Sequence, residues 1–375
     1  MRKRAALEIE RRLNADLARK HPLRQLFWEC TLRCDLKCRH CGSDCKMKSD
    51  SHDMAFEDFA RVLESVRRRT DSHNVFITIS GGEPLMRADL EECGRRIYDM
   101  GFPWGIVTNA LHLTPDRFRR LVDAGIHSMA ISLDGLEENH NWMRGNDQSF
   151  RRVEEAIAKL REEPLVIYDI VTCATERNIH ELPALRQWLI DHGVETWRVI
   201  DVFPQGRAAT DPQMLLTDEH YRQLLDFIRT SERECPTLSV NYGCEGFVGE
   251  YEFDVRPIAF HCHAGITVGG VMADGRIAAC ASIRSDYSQG SIYTDDFMDV
   301  WENRFQPYRD HSWMRQGACA DCNMWRYCQG NGMHLRDAEG RLMQCHLERI
   351  VKANSPNTSP KTTSPQPSPK GRESN

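Results

Sequence analysis

The chain has 375 residues, 41% hydrophobic and 28% charged, a globular composition long enough for about two to three domains. No run approaches the roughly 18 consecutive apolar residues of a membrane span, which excludes an integral helical membrane protein. The formal charge of −6 conceals seven Lys/Arg against three Asp/Glu in residues 1–20 and four against one in 351–375. The body between is therefore acidic, which argues against nucleic acid and for a small or peptide substrate. Fifteen cysteines, an odd number with no signal-peptide start before them, argue against a secreted disulfide scaffold. They point to the reducing cytoplasm, where clustered cysteines hold metal or do redox chemistry.

Ile9, Leu13 and Leu17, four apart, predict an amphipathic helix over residues 4–20, packed on the domain that follows. From residue 26 to about 231, β-rich runs alternate with helical ones. Strands are expected at 26–29, 75–79, 105–108, 128–133, 165–172 and 196–202, and helices at 56–69, 90–100, 115–124, 150–161, 179–191 and 218–229. These six βα units predict an α/β fold, a partial (βα)6 barrel with its function at the C-terminal ends of the strands. After Cys235-Pro236 the grammar changes: 266–272 and 276–280 read as a hairpin turned at Asp274-Gly275, followed by a helix at 296–303 and a cysteine-rich stretch to Cys345. The expected units are an N-terminal helix (1–22), a barrel (23–235), a metal-dependent small domain (236–350) and a disordered Ser-Pro tail (351–375).

Cys34, Cys38 and Cys41, spaced CxxxCxxC, come immediately after the first strand. Three thiolates from one loop can hold three irons of a cubane and leave the fourth open; a structural zinc completed by Cys30 or Cys45 is the alternative. Ser80-Gly81-Gly82-Glu83-Pro84 follows the second strand, either a plain turn or a place where backbone approaches a ligand and a carboxylate meets an ammonium group. Thr108-Asn109 ends the third strand; Ser132 and Asp134 end the fourth. Taken alone, each reads as a turn or helix cap ahead of a ligand contact. Arg207, in Pro204-Gln205-Gly206-Arg207-Ala208, is a site residue or a barrel-mouth ion pair. A second constellation comprises Cys262, Gly275 with Cys280, Cys319-x2-Cys322-x5-Cys328, and Cys345, with a zinc ribbon of the last four as the alternative. Cys93 and Cys173 read as buried small hydrophobes.

The first set resembles the radical S-adenosylmethionine (radical SAM) superfamily, whose CxxxCxΦC signature places His40 in the aromatic position. The resemblance implies a 4Fe-4S cluster on Cys34, Cys38 and Cys41. It also implies S-adenosylmethionine held by Gly81, Gly82, Glu83 and Pro84 at its methionyl amino group, with Ser132, Asp134, Asn109 and His40 as further cofactor contacts. Electron transfer to the sulfonium would release methionine and a 5′-deoxyadenosyl radical. The second set resembles the SPASM extension, which holds two auxiliary 4Fe-4S clusters, one on Cys319, Cys322, Cys328 and Cys345. Gly332 stands where the other cluster expects a cysteine. That cluster then rests on Cys262, Cys280 and the spare Cys244, its fourth iron open to substrate, solvent, or one of His261 and His263, or it is absent. Residues 26–34 and 301–309 look like a lipoprotein-associated subgroup. The expected activity is radical maturation of a peptide or small protein, presented by a partner protein and supplied with electrons by a flavodoxin or ferredoxin. Oxidation of a tetrapyrrole or aminoglycoside, and a non-catalytic iron-sulfur or zinc scaffold, are the alternatives.

Overall fold

The computed structural model describes residues 2–48, 52–243 and 245–353. Its first helix, α1 (Arg2–Lys20), corrects the expectation from spacing, because Ile9 and Leu13 are 60% and 54% exposed. The helix is turned instead so that Leu7 packs inward and the Glu8 carboxylate accepts from Arg326 Nη2 and the Tyr327 hydroxyl, both at 2.7 Å. Polar ties, not the apolar stripe, set its rotation.

The predicted alternation follows: β1 (Gln25–Thr31), α2 (Phe56–Arg69), β2 (Phe76–Gly81), α3 (Leu90–Asp99), β3 (Trp104–Thr108), α4 (Pro115–Asp123) and β4 (Ser128–Ser132). Then come α5 (Glu137–Arg144), α6 (Ser149–Arg161), β5 (Ile167–Ala174), α7 (Leu182–Asp191), β6 (Thr196–Asp201) and α8 (Asp218–Glu234). All six strands pair in parallel in sequence order, the partial barrel expected, and β7 (Ser239–Tyr242) adds a seventh beside β6. The fifth strand begins two residues later than predicted, since Leu165 is 79% exposed and lies ahead of the sheet. Helices cover the strands by close packing. Trp28 stacks on Phe59 of α2 at 4.5 Å, and Gly94 of α3 leaves room for Trp104, whose ring would sit 2.2 Å from any added Cβ.

The Asp-Gly hairpin forms as β8 (Val268–Val271) and β9 (Arg276–Ala278), with β10 (Gly290–Ser291) alongside. It does not stand apart from the barrel. β8 runs parallel to β1, Gln25 opposite Val268, so barrel and hairpin share one ten-stranded sheet. Beyond it lie α9 (Phe297–Arg304), α10 (Gln306–Arg309), α11 (Trp325–Cys328) and α12 (His346–Ala353). Buried polar groups seat α12: Asp201, at the end of β6, accepts from His346 Nε2 at 3.2 Å, Gln344 Nε2 at 3.0 Å and Arg349 Nη1 at 2.8 Å, and also from the Tyr242 hydroxyl. No described helix is long and apolar enough to cross a membrane. Most of the expected disordered tail, residues 354–375, lies outside the described residues.

Candidate active site and cluster centres

The loop leaving β1 is closed at its neck, where the Cys34 N–H donates to Lys46 O at 2.8 Å, and it turns inside on a Cys41 N–H to Cys38 O bond at 3.3 Å. Arg207 clasps it from β6's side, donating Nε to Cys38 O at 2.7 Å and its backbone N–H to Cys41 O at 3.0 Å, and pairing with Asp44 at 2.7 Å. Arg207 is thus the ion pair of the two readings, and its work is to fix the carbonyls of the thiol loop. Within that loop Cys34, Cys38 and Cys41 are electrostatic neighbours in succession. Burial pushes Cys34 up to about 12 and raises Cys38, whose sulfur lies 3.6 Å from Arg144 Nη1. Cys41 falls to about 5, chiefly because Cys45 donates to it. Cys45 therefore touches the set without belonging to the spacing.

Gly81 and Gly82 press this loop against β2. A Cβ on either would stand 2.1 Å from a carbonyl, Thr31 O or Arg33 O, and Gly81 has φ +140°. Glu83 is buried; it accepts from Leu85 N at 3.0 Å, Thr108 Oγ1 at 2.6 Å and Asn109 N at 2.8 Å. Of about four acceptor positions on a carboxylate, three are filled, so Glu83 chiefly braces the turn. Its burial raises its pKa to about 7. Pro84 opens the short turn that follows. Asn109 donates from Nδ2 to Asp35 at 3.1 Å and accepts from Leu111 N at 2.8 Å.

Asp134 is spent in the same way, pairing with Arg144 Nε at 2.7 Å and accepting from Cys173 N at 3.1 Å. Burial would raise its pKa, but Arg144 holds it down to about 2. The Asp134 N–H donates to His140 Nδ1 at 3.0 Å, leaving Nε2–H for Ser149 Oγ at 2.9 Å, and burial lowers His140 to about 3. Arg144 thus enters the site on α5, a helix the sequence did not announce, as the buried cation beside the thiol loop. Ligand atoms of His40, Asp134 and Cys173 all lie within 4.8 Å of one another, and His40 Nδ1 is buried without a partner. With Arg144 already on Asp134, this group is a polar pocket wall, and Cys173 belongs to that wall as well as to a small apolar cluster. Ser132, partly exposed, ends β4 on the same side.

In the second centre, Cys328 and Cys345 each lie near Cys319; Cys322 follows one turn on from Cys319, and Arg336 Nη2 reaches Cys319 Sγ at 3.5 Å. Cys262 and Cys280 form a separate pair, burial raising both thiols, with the Met333 N–H on Cys262 and Glu245 near Cys280. Cys244 lies outside the described residues. The two histidines expected here flank Cys262, their rings 5.6 Å apart, and His261 Nε2 and His263 Nδ1 are buried without a partner; His261 also lines a small cavity with Leu7 and Tyr327. All cysteines among the described residues are free.

A parallel partial barrel opening three gathered thiols at the C-terminal ends of its strands, joined to a region with two further thiol groups, defines an iron-sulfur barrel enzyme. Sequence comparison gives the family. The radical SAM superfamily profile matches residues 28–189, and the SPASM profile, an iron-sulfur cluster-binding domain, matches residues 262–323; the chain belongs to the radical SAM superfamily and carries a SPASM domain. It is 24% identical to the AdoMet-dependent heme synthase of Methanosarcina barkeri, over 86% of this chain and 94% of that protein. It is 27% identical to the PqqA peptide cyclase of Bradyrhizobium diazoefficiens, over 78% and 77%. Among solved structures, anSMEcpe with bound AdoMet superimposes with a TM-score of 0.68 at 19% identity, covering 88% of this chain and 95% of that one. SuiB of Streptococcus suis gives 0.65 at 18%, covering 83% and 74%. The protein therefore uses a 4Fe-4S cluster, S-adenosylmethionine and auxiliary iron-sulfur clusters. Its residues fit them: three adjacent thiols, a buried cation, and unpartnered buried atoms at His40 Nδ1 and Ser80 Oγ beside the glycine turn.

Proposed function

We propose that this enzyme matures a peptide or small protein by abstracting a hydrogen atom from it. Alignment with a peptide cyclase over 78% of the chain carries this reading. The fold shared with SuiB, solved with its precursor peptide, and the likeness of residues 26–34 and 301–309 to a lipoprotein-associated subgroup support it. Cys34, Cys38 and Cys41 would hold the 4Fe-4S cluster, which would supply the electron for reductive cleavage of S-adenosylmethionine. The chain's own residues position that chemistry. Gly81 and Gly82 bring backbone to the cofactor's amino group, Glu83 and Asn109 brace the turn, Arg144 offers a buried cation to its carboxylate, and His40 and Ser132 line the wall. Enclosure at the barrel mouth keeps water from the reactive carbon. A flavodoxin or ferredoxin supplies electrons, and a partner protein presents the peptide.

Alignment with a heme synthase over 86% of the chain favours a second reading, oxidation of a tetrapyrrole side chain. Anaerobic reconstitution with reductant and S-adenosylmethionine separates the two. The peptide reading expects deoxyadenosine together with a mass change in a peptide encoded beside the gene. Every such peptide emerging unchanged while a tetrapyrrole is altered would overturn it, and no deoxyadenosine under any condition would leave only an iron-sulfur scaffold.

A further inference from the structure

Gly332 stands where the SPASM resemblance expects a cysteine, and His334 lies two residues along the chain. A Cβ built on Gly332 would stand 2.5 Å from His334 Cε1 and 2.8 Å from His334 Nδ1. The imidazole of His334 therefore occupies the space a cysteine side chain at 332 would take, and would have to turn away to admit one. The far side of the ring is already held: Nε2 lies 3.2 Å from Glu245 Oε2, with both side chains buried. A metal-ligating histidine characteristically commits its other ring nitrogen to a carboxylate, which fixes tautomer and orientation and strengthens the ligand. Phe203 packs against the ring at 5.0 Å, further limiting its rotation.

The neighbours are the remaining thiols of the incomplete set. Met333, between Gly332 and His334, donates its N–H to Cys262, and the charge of the carboxylate that holds His334 bears on the Cys280 thiol. His261 and His263 flank Cys262, and His261 Nε2 and His263 Nδ1 are buried without a partner, but among these histidines only His334 fills the space beside Gly332 and has its other ring nitrogen on a carboxylate. We infer that His334, through Nδ1, takes the place of the missing cysteine as a ligand of the first auxiliary cluster, with Cys262 and Cys280, and that Glu245 positions it. This rests on the auxiliary clusters of the SPASM domain and not on the identity of the substrate. Imidazole in place of thiolate removes negative charge from the cluster and raises its potential, as when histidine replaces cysteine on one iron of a Rieske centre. A Cβ built on Gly42 in the thiol loop would stand 3.9 Å from the Phe203 ring, so His334 is one aromatic ring away from that loop.

The test is spectroscopic. The full chain, reconstituted without S-adenosylmethionine and labelled with 15N-histidine, is reduced and examined by pulsed EPR, with iron and sulfide counted in the same sample. The expected result is about twelve irons per chain and a strong coupling to histidine nitrogen. That coupling is lost in His334→Ala and retained in His261→Ala and His263→Ala. Glu245→Gln keeps the iron but alters the coupling. Because His334→Ala can also fail by losing the cluster, the Gly332→Cys/His334→Ala double variant is the decisive partner. It should restore iron to the wild-type level, show no nitrogen coupling, and titrate at a lower potential. Coupling that survives in His334→Ala, coupling that vanishes only in His261→Ala or His263→Ala, or about eight irons in the wild type would each overturn the assignment. The peptide or tetrapyrrole question is read by mass spectrometry and is untouched by any of these outcomes.

Discussion

The two halves of this molecule are held together by different means. In the barrel, parallel strands bury Trp28, Trp104 and Trp197 completely beneath amphipathic helices, and the thiol loop is an appendage clasped onto a finished core. Beyond β10 the chain is short helices and turns: Phe297, Trp301, Phe305 and Tyr308 extend the apolar core, but α10 and α11 span four residues each and the stretch after Tyr308 leans on single polar groups. Arg336 there donates to Gly330 O at 2.8 Å and Gly340 O at 2.7 Å, and His311 contacts Tyr308 O at 2.8 Å and Gln329 O at 3.1 Å. Hydrophobic burial is non-directional and tolerates the loss of a ligand, whereas a turn-rich region pinned around thiols takes much of its folding energy from the metal. The barrel should survive without iron; the cysteine-rich region should not.

The sharpest break falls on activity. Replacing Cys34, Cys38 and Cys41 together by Ala should remove about four irons and all deoxyadenosine formation while leaving the auxiliary iron in place. Residual cleavage of S-adenosylmethionine would contradict the loop's role. Chelation comes next. Stripping iron should open residues 311–345 to limited proteolysis while the barrel's unfolding transition is kept, and loss of both together would erase the contrast between halves. Within the barrel, Asp134→Ala leaves Arg144 buried and unpaired, so denaturant unfolding should show a loss of about 3–5 kcal/mol. The smallest effect concerns the joint. Burial would raise the pKa of Asp201, yet His346 and Arg349 hold it well below the ordinary 3.8. A depressed folded-state value gives stability that is present above 3.8 and lost as pH falls below it. Asp201→Asn should lower stability at neutral pH by about 1–3 kcal/mol and flatten that acid limb; an unchanged acid limb would show that Asp201 does not carry it.

What could be read from sequence was local. CxxxCxxC needs only a strand before it and a turn through it, and all six barrel strands stand within a few residues of their predicted places, helped by breakers such as Asn74 and Gly81 around the second and Gly125 and Asp134 around the fourth. Helix α5 was illegible: Glu-Glu-Asn-His-Asn-Trp-Met-Arg has no apolar periodicity, and the side chains it buries include His140 and Arg144. Those are buried through Asp134, only six and ten residues upstream, by polar pairing that apolar periodicity does not register. Helix α12 went unseen for a related reason, being short and seated by Asp201 from 145 residues away. For α1, spacing identified a helix but not its rotation, which Glu8 decides with Arg326 and Tyr327. Periodicity finds elements; it does not find which buried charge each will answer.

The pairing of β8 with β1 also bears on how this chain is made. Residues 25–28 meet β2 on one side and residues 268–271 on the other, so the second edge of β1 stays open until nearly the whole sheet has left the ribosome. An open edge of backbone donors and acceptors, carrying buried-type side chains such as Leu26 and Trp28, is a template for pairing with another nascent chain. The hairpin that leads into the cysteine-rich region is thus the barrel's edge guard. A truncation before residue 268 would be expected to yield not a small working barrel but an aggregating one.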